Sequence, residues 1–331
     1  MNNAPRENGM TQYMQNNVEN TTGRIASVNI SEEKGTVKRP VPRIVIDGMG
    51  VQNDAHAGPG HRQISLLSCF SIDRFAEQAG RVFQPGDFGE NISVEGLPFG
   101  DVSPLDRIRI GDQVELIVSQ IGKKCHGSGC AIFQETGKCV MPKEGIFGQV
   151  AKGGVVASGD EVRLERRSLR CKILTVSDRA SAGIYEDRSG PTVEELLTSH
   201  FNPKPWRLAC ERECVPDDAV KLKSAARSAI EQGVDILITT GGTGLGPRDI
   251  TPDVIQPLCD KMIPGIMDYT RMKYGAEKRG ALLTRAIAGV AGSTLVFCLP
   301  GSVRAVREYV TEILEVLEHL IFTVHGIDRH G

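Results

Sequence analysis

At 331 residues the chain exceeds the roughly 100–200 residues of one ordinary domain, so two domains are expected. Apolar residues at 40% and charged residues at 24% exclude a wholly disordered chain, and 39 Lys+Arg against 41 Asp+Glu give a net charge of −2, which excludes a broad basic field for nucleic acid or anionic lipid. No apolar run approaches the roughly 18 residues of a membrane span and the first residues hold no signal-peptide core, so the sequence predicts a cytoplasmic protein without nucleic-acid or membrane partners.

Residues 1–23 hold six Asn and no hydrophobic period, which predicts a disordered tail with Met10 and Met14 as candidate starts. From Arg24 short apolar stretches alternate with Gly and Pro: GRIASVNIS, PRIVIDGMGV, RQISLLS, DRIRIGDQVELIVSQIG and SGDEVRLERR. This spacing predicts a mostly-β barrel or sandwich over 24–166, with one short helix near Ser71–Ala79. The nine cysteines, an odd number spread along the chain, predict reduced thiols. CHGSGC (125–130) with Cys139 gathers three thiols and one His. Lys123 and Lys124 favour a reactive thiolate at Cys125, whereas a structural zinc site would lack the paired C-x₂-C spacing; inert cysteines are the third alternative. His56 and His61 near Asp54 read as polar loop residues ahead of a second metal site.

RRSLR (166–170) is a charged hinge. Beyond it, over 167–331, strands alternate with helices: CKILTVSD, PTVEELLTSHF, WRLACERECV, DDAVKLKSAARSAIEQG, VDILITTGG, TPDVIQPLCDKM, STLVFCLPG and SVRAVREYVTEILEVLEHLIFTVHG. Val303, Val306, Val310, Ile313, Leu314, Leu317 and Leu320 make an apolar stripe at the 3.6-residue period in the last helix. Such alternation predicts a three-layer α/β domain with a mostly parallel sheet covered on both faces, and ligands in such sheets sit at the carboxyl ends of strands.

Four strand-to-helix turns therefore carry the candidate chemistry. In TTGGTGLGPRDITPD (239–253), glycines 241, 242, 244 and 246 let backbone N–H groups approach an anion, and Thr251-Pro252 reads as an N-cap followed by proline. A dinucleotide fingerprint would need glycine at Pro247, and a P-loop would need Lys-Ser/Thr where Pro247-Arg248 stands. LPGS (299–302) brings Pro300, Gly301 and Ser302 to the start of the last helix. VSDRASAGIYEDRSGPT (176–192) offers Ser177, Asp178, Ser181, Asp187, Ser189 and Gly190 ahead of a helix amino terminus, which suits phosphate. In CVPDDAV (214–220), Asp217 is either an N-cap or, with Asp249 at the same sheet edge, one of the two carboxylates that Mg²⁺ on a nucleotide requires.

These turns, with PGSVRAV and LLTRAIAG (282–289), closely resemble the MogA/MoaB family of molybdenum-cofactor biosynthesis over residues 170–325. The resemblance implies adenylyl transfer from Mg-ATP to molybdopterin, releasing pyrophosphate, on a subunit that forms homotrimers. It places the family's two functional aspartates, and Mg²⁺, on Asp217 and Asp249. Its pterin-phosphate loops fall on Gly241, Gly242, Thr243 and Gly244, on Pro300, Gly301 and Ser302, and on Ser177, Asp178 and Ser181; Thr284 keeps a hydroxyl where many relatives have serine. The front half resembles the MOSC family in GRIASVNIS, GVQNDAHAG, HRQISLLS, PGDFGENI and the stretch from Ile121 to Val150. Asn53 there stands where relatives often have glycine. That resemblance implies a β-rich module that binds the molybdenum cofactor or carries sulfur on Cys125. A bifunctional cytoplasmic protein working with other molybdenum-cofactor pathway proteins is the expectation; the alternative is a protein that holds molybdopterin for handover without turnover.

Overall fold

The computed structural model describes residues 21–124, 133 and 138–329. The chain divides into two units between Arg167 and Ser168, with the short segments 59–62 and 119–121 grouped with the second.

The first unit contains β1 (Thr21–Ile30), β2 (Arg39–Val41), β3 (Arg43–Asp47), β4 (Gly50–Val51), β5 (Ile64–Ser68), α1 (Cys69–Ala79), β6 (Ile92–Glu95), β7 (Arg107–Ile110), β8 (Val114–Ile121), α2 (Met141–Glu144), β9 (Ile146–Lys152), β10 (Gly154–Ala157) and β11 (Glu161–Glu165). Strands β11-β7-β8-β9-β5-β6-β1 follow one another, and β1 pairs back onto β11, which closes a seven-stranded barrel. β2 extends from β1, and β10-β3-β4 form a separate small sheet. Period-two patterning fills the barrel: in β7, Arg107 and Arg109 face solvent while Ile108 and Ile110 are buried, as are Val162 and Leu164 across from them on β11. β5 and β6 run parallel because α1 carries the chain back between them.

β1 begins at Thr21, inside the stretch expected to be tail. Two β-branched threonines and Gly23 complete the closing ladder, Thr21 opposite Leu164, Thr22 opposite Arg163 and Gly23 opposite Val162, a pairing partner that no local pattern announces. β9 also went unrecognised as a strand, since Gly148 interrupts its apolar run. There the glycine lets the strand approach β8, where a Cβ would lie 3.1 Å from that of Leu116.

The second unit contains β12 (Leu169–Val176), α3 (Asp178–Ser181), α4 (Ser189–Phe201), β13 (Leu208–Val215), α5 (Ala219–Glu231), β14 (Ile236–Thr240), α6 (Thr251–Ile255), β15 (Lys261–Met262), α7 (Pro264–Glu277), β16 (Ile287–Ala291), β17 (Thr294–Leu299) and α8 (Val303–Val324). Its sheet has the order β13-β12-β14-β17-β16-β15; the first four strands are mutually parallel, β16 runs antiparallel to β17, and β15 antiparallel to β16. β14 (ILITT) and β17 (TLVFCL) are buried along their whole length, as fits strands that are apolar but for threonines at their ends. β13 is the charged edge, where Glu211 and Glu213 hold Lys172 of β12 at 2.5 and 2.8 Å. Leu174, Val176, Leu237, Val296 and Cys298 pack with Leu222, Ala226 and Ala229 of α5 and Ile255 of α6, while α4 and α8 pack on each other. The helix expected over TPDVIQPLCDKM stops at Ile255: a 3₁₀ turn (Gln256–Leu258) containing Pro257 and then β15 replace its second half.

Candidate active site at the carboxyl ends of the parallel strands

The ends of three parallel strands converge on Gly241. Its N–H donates to the Leu299 carbonyl at the end of β17 (3.0 Å), and a Cβ there would collide with the Val176 carbonyl at the end of β12. A Cβ on Gly301, in turn, would lie 3.0 Å from the Gly241 Cα. With φ at +105° and no room for a side chain, only glycine fits at 241. Gly242, at φ +63°, is similarly confined by Thr251, whose Oγ1 a Cβ would meet at 2.5 Å. Thr251 is fully buried, donating its hydroxyl to the Gly241 carbonyl (2.8 Å) and its N–H to the Gly242 carbonyl (3.0 Å). That engagement is why Thr251 is not the N-cap expected of it: the cap position is Ile250, and Thr251 opens the helix.

Beyond this anchor, the N–H groups of Gly242, Thr243 and Gly244 donate to no acceptor among the described residues. Asp249 turns one carboxylate oxygen back to the Gly246 N–H (2.8 Å), and Thr243 Oγ1 meets Thr284 Oγ1 at 2.9 Å. Arg285 closes the loop from outside. Its N–H reaches the Thr243 carbonyl (2.8 Å), its Nε the Gly244 carbonyl (2.9 Å), one terminal nitrogen both oxygens of Asp253 (2.7 and 2.8 Å), and the other the Asp249 carbonyl. Neither Arg285 nor Arg248 was assigned a role from sequence; an arginine flanking a glycine-rich turn, with five donors for carbonyls that glycine leaves bare, is the signal that could have found them.

The turns after β12 and β13 interlock. Asp178 N–H donates to Asp217 Oδ2 (3.1 Å) and Asp217 N–H donates to Asp178 Oδ1 (3.0 Å), while Arg248 reaches the second oxygen of Asp178 (3.2 Å) from the glycine loop. Asp217 is therefore not the helix cap that one of its sequence readings made it. Asp218 caps α5, accepting from Val220 and Lys221 N–H at 2.9 Å each. Ser177 caps α3 through Ala180 N–H, Ser302 caps α8 through Ala305 N–H (both 3.3 Å), and Ser181 only donates locally to the Asp178 carbonyl. Thr240 Oγ1 donates to the Pro300 carbonyl (3.3 Å). Asp187 accepts from Thr175 Oγ1, Ser189 N–H and Oγ, and Gly190 N–H, at 2.8–3.1 Å, which fixes the start of α4.

The turns thus bring Asp178, Asp217, Gly241–Gly244, Asp249, Thr284, Pro300 and Gly301 to one sheet edge. For a divalent cation the donor set is hard oxygen: Asp217 and Asp249 each commit one carboxylate oxygen to a backbone N–H and keep the other without a hydrogen-bond partner among the described residues. Two such oxygens suit Mg²⁺, which fills its remaining positions with phosphate and water. No group of three or more metal-ligating side chains occurs among the described residues.

In the first unit, Cys125 and Cys130 lie outside the described residues, and Cys139 packs partly buried against the Phe75, Phe83 and Phe88 cluster. Asp54, His56 and His61 do not gather as one ligand set: His56 Nδ1 lies 3.4 Å from Asp54, but His61 turns away. Asp54 is buried against Lys38 Nζ (2.8 and 2.7 Å) and accepts from the Ser31 and His56 N–H groups, while His61 meets Gln120 at 2.9 Å. Burial pushes the Asp54 carboxyl up, but bonds from His56 and the Lys38 ammonium outweigh it and hold the group well below the usual carboxylate range. Burial lowers the Lys38 ammonium.

Fold and site together define an α/β domain whose glycine loop presents backbone N–H groups at the carboxyl edge of its parallel strands, preceded in the chain by a closed β-barrel. Residues 172–319 match the family described as a probable molybdopterin binding domain, and residues 52–163 match the MOSC domain. The molybdopterin adenylyltransferase of Helicobacter pylori is 34% identical over 164 residues, which are 48% of this chain and 90% of that protein. The molybdenum cofactor biosynthesis bifunctional protein of Chlorobaculum tepidum is 36% identical over 166 residues, 49% of this chain and 50% of that protein. Among solved structures, the molybdopterin biosynthesis enzyme MoaB from Thermus thermophilus is 37% identical, with a TM-score of 0.44, covering 48% of this chain and 97% of that one. The chain belongs to the molybdopterin-binding-domain family that includes the molybdopterin adenylyltransferases, and it carries a MOSC domain in front of that unit.

Proposed function

We propose that the second unit is a molybdopterin adenylyltransferase, taking ATP and molybdopterin to adenylyl-molybdopterin and pyrophosphate. The observation that carries this reading is the run of three N–H groups at Gly242–Gly244, without an acceptor among the described residues, at the edge where Asp217 and Asp249 also lie. Such preorganised donors hold phosphate oxygens and stabilise charge that develops on them. The terminal phosphate of the pterin attacks the α-phosphorus of ATP, and the bond to pyrophosphate breaks. The chain's work is to hold the two phosphates in line. Asp217 and Asp249 would hold Mg²⁺, which neutralises the triphosphate when bound. The Thr243–Thr284 hydroxyl pair and the turn Pro300–Ser302 border the pterin side, with Ser177, Asp178 and Ser181 on the neighbouring turn. Arg285 keeps the cradle in shape through the Gly244 and Asp249 carbonyls.

For the front unit, we propose binding of the molybdenum cofactor or transport of sulfur on Cys125, in a cytoplasmic protein that passes its product to other proteins of the pathway. A homotrimer built through the second unit fits the exposed apolar side chains Tyr269, Met272 and Leu283 on and after α7. The test is pyrophosphate release on mixing the full chain with ATP, Mg²⁺ and molybdopterin. Tight pterin binding without pyrophosphate would replace the enzyme with a handover protein.

A further inference from the structure

Cys171 of β12 and Cys210 of β13 are register partners in adjacent parallel strands, so their side chains project from the same face. Neighbouring strands lie about 4.8 Å apart, within the Cα separation of roughly 4.4–6.8 Å that a disulfide spans. Cys171 is buried, whereas Cys210 is half-buried on the sheet's edge strand, so the pair has one concealed and one reachable sulfur. The two thiols act on each other. The neighbouring Cys171 thiol lowers Cys210 against the counter-effects of burial and of Glu194 on α4, with Arg212 assisting; Cys171 is pushed up by its partner thiol and by burial, Asp235 and Glu194 adding to it. The exposed Cys214 on the same strand goes the other way, raised by partial burial and by Asp187. A thiolate at Cys210 is the attacking species for exchange, and Cys171 is the resolving thiol behind it.

We propose that Cys171 and Cys210 form a redox pair that closes to a cross-strand disulfide on exposure to a small-molecule disulfide such as oxidised glutathione. The Cys210 thiolate attacks one sulfur of the reagent, breaks its S–S bond and releases one thiolate. Cys171 then gives up its proton and attacks Cys210 Sγ, releasing the second. Two protein thiols are oxidised and one reagent disulfide is reduced to two thiols. The bond fastens the edge strand to β12. The offset of 39 residues that joins Cys171 to Cys210 also joins Asp178 to Asp217, so the disulfide clamps the two strands that lead into the aspartates' turns.

The experiment incubates the full chain with excess oxidised glutathione, blocks remaining thiols and maps tryptic peptides. The dipeptide Cys171–Lys172 should appear joined to Leu208–Arg212, lighter by two hydrogens than the two together, with neither cysteine available to the blocking reagent. Cys171→Ser should instead hold a persistent glutathione adduct on Cys210, and Cys210→Ala should leave Cys171 a free thiol. A stable glutathione adduct on Cys210 in the wild-type chain, a Cys210–Cys214 bond, or an unmodified Cys210 would each overturn the pairing, and all are read without any variant.

Discussion

Asp217 and Asp249 bind backbone N–H groups that an amide oxygen can also satisfy, so asparagine at either site keeps the turn and deletes only the charge. Asp249→Asn should retain pterin binding and lose at least ~100-fold in adenylation, the scale of one strong transition-state electrostatic contact; wild-type turnover at saturating Mg-ATP would remove Asp249 from the chemistry. Asp217→Asn should behave alike. The cap energy belongs next door: Asp218→Ala should lower stability by about 1 kcal/mol with adenylation intact, measured by denaturant melts beside the pyrophosphate assay. The Asp178–Asp217 exchange was illegible in the sequence, because it joins backbone donors 39 positions apart; two adjacent aspartates at 217 and 218 look equivalent until one is seen to cap and the other to reach across strands. In the barrel, Lys38 and Asp54 have side chains 1% and 2% exposed. Asp54→Asn strands a buried ammonium and should cost roughly 3–5 kcal/mol. Because the folded carboxyl sits below its unfolded value of about 3.9, the ionised pair stabilises the fold at neutral pH. That contribution should fade as pH falls below about 4 and continue fading down to the folded value, and an acid titration of stability that is flat there in wild type would contradict it.

Among elements, those with strong periodicity were readable and those held by pairing were not. The alternation of apolar strands with amphipathic helices gave the parallel sheet, and the last helix does bury Val306, Val310, Ile313 and Leu317. Its stripe is wider than the aliphatic pattern, however: Tyr309 and Phe322 are buried, and Glu312 is taken in because Lys273 and Tyr274 of α7 bond its carboxylate at 2.7 and 2.9 Å. α7 itself buries only Met267, Thr270 and Gly275, too sparse a face to stand out, and three of the five residues of β16 are alanine or glycine. The glycine loop and its place after a buried strand were legible, whereas the element that shapes it, the turn at Arg285, was not. Arg285→Lys has one nitrogen in place of three, so it can no longer hold Asp253 and the Gly244 and Asp249 carbonyls at once. Hydrogen bonds involving a charged group contribute about 1.5–3 kcal/mol each, so the KM for molybdopterin should rise ~10-fold or more with the far-ultraviolet spectrum unchanged. Unaltered steady-state constants would show that the loop holds its shape alone.

At the scale of the molecule, each unit has a core of its own: the barrel around Ile25, Leu66, Ile108 and Leu116, and the sheet around Leu174, Leu237 and Val296. Cleavage at an engineered site near Ser168 should therefore release two soluble pieces, and the second should keep adenylation. Light scattering of that piece should give a trimer; a monomer would leave the α7 apolar side chains without a partner. Aggregation of both pieces would refute the boundary. The barrel adds a topological consequence. Since β1 closes against β11, the unit's entry and exit lie on neighbouring strands, with Thr21 beside Leu164. A module with its two ends at one seam behaves as a cassette: it can be joined end to end and reopened at an exposed turn such as Ser158–Asp160, or moved to the other terminus of the α/β unit, without any strand changing neighbours.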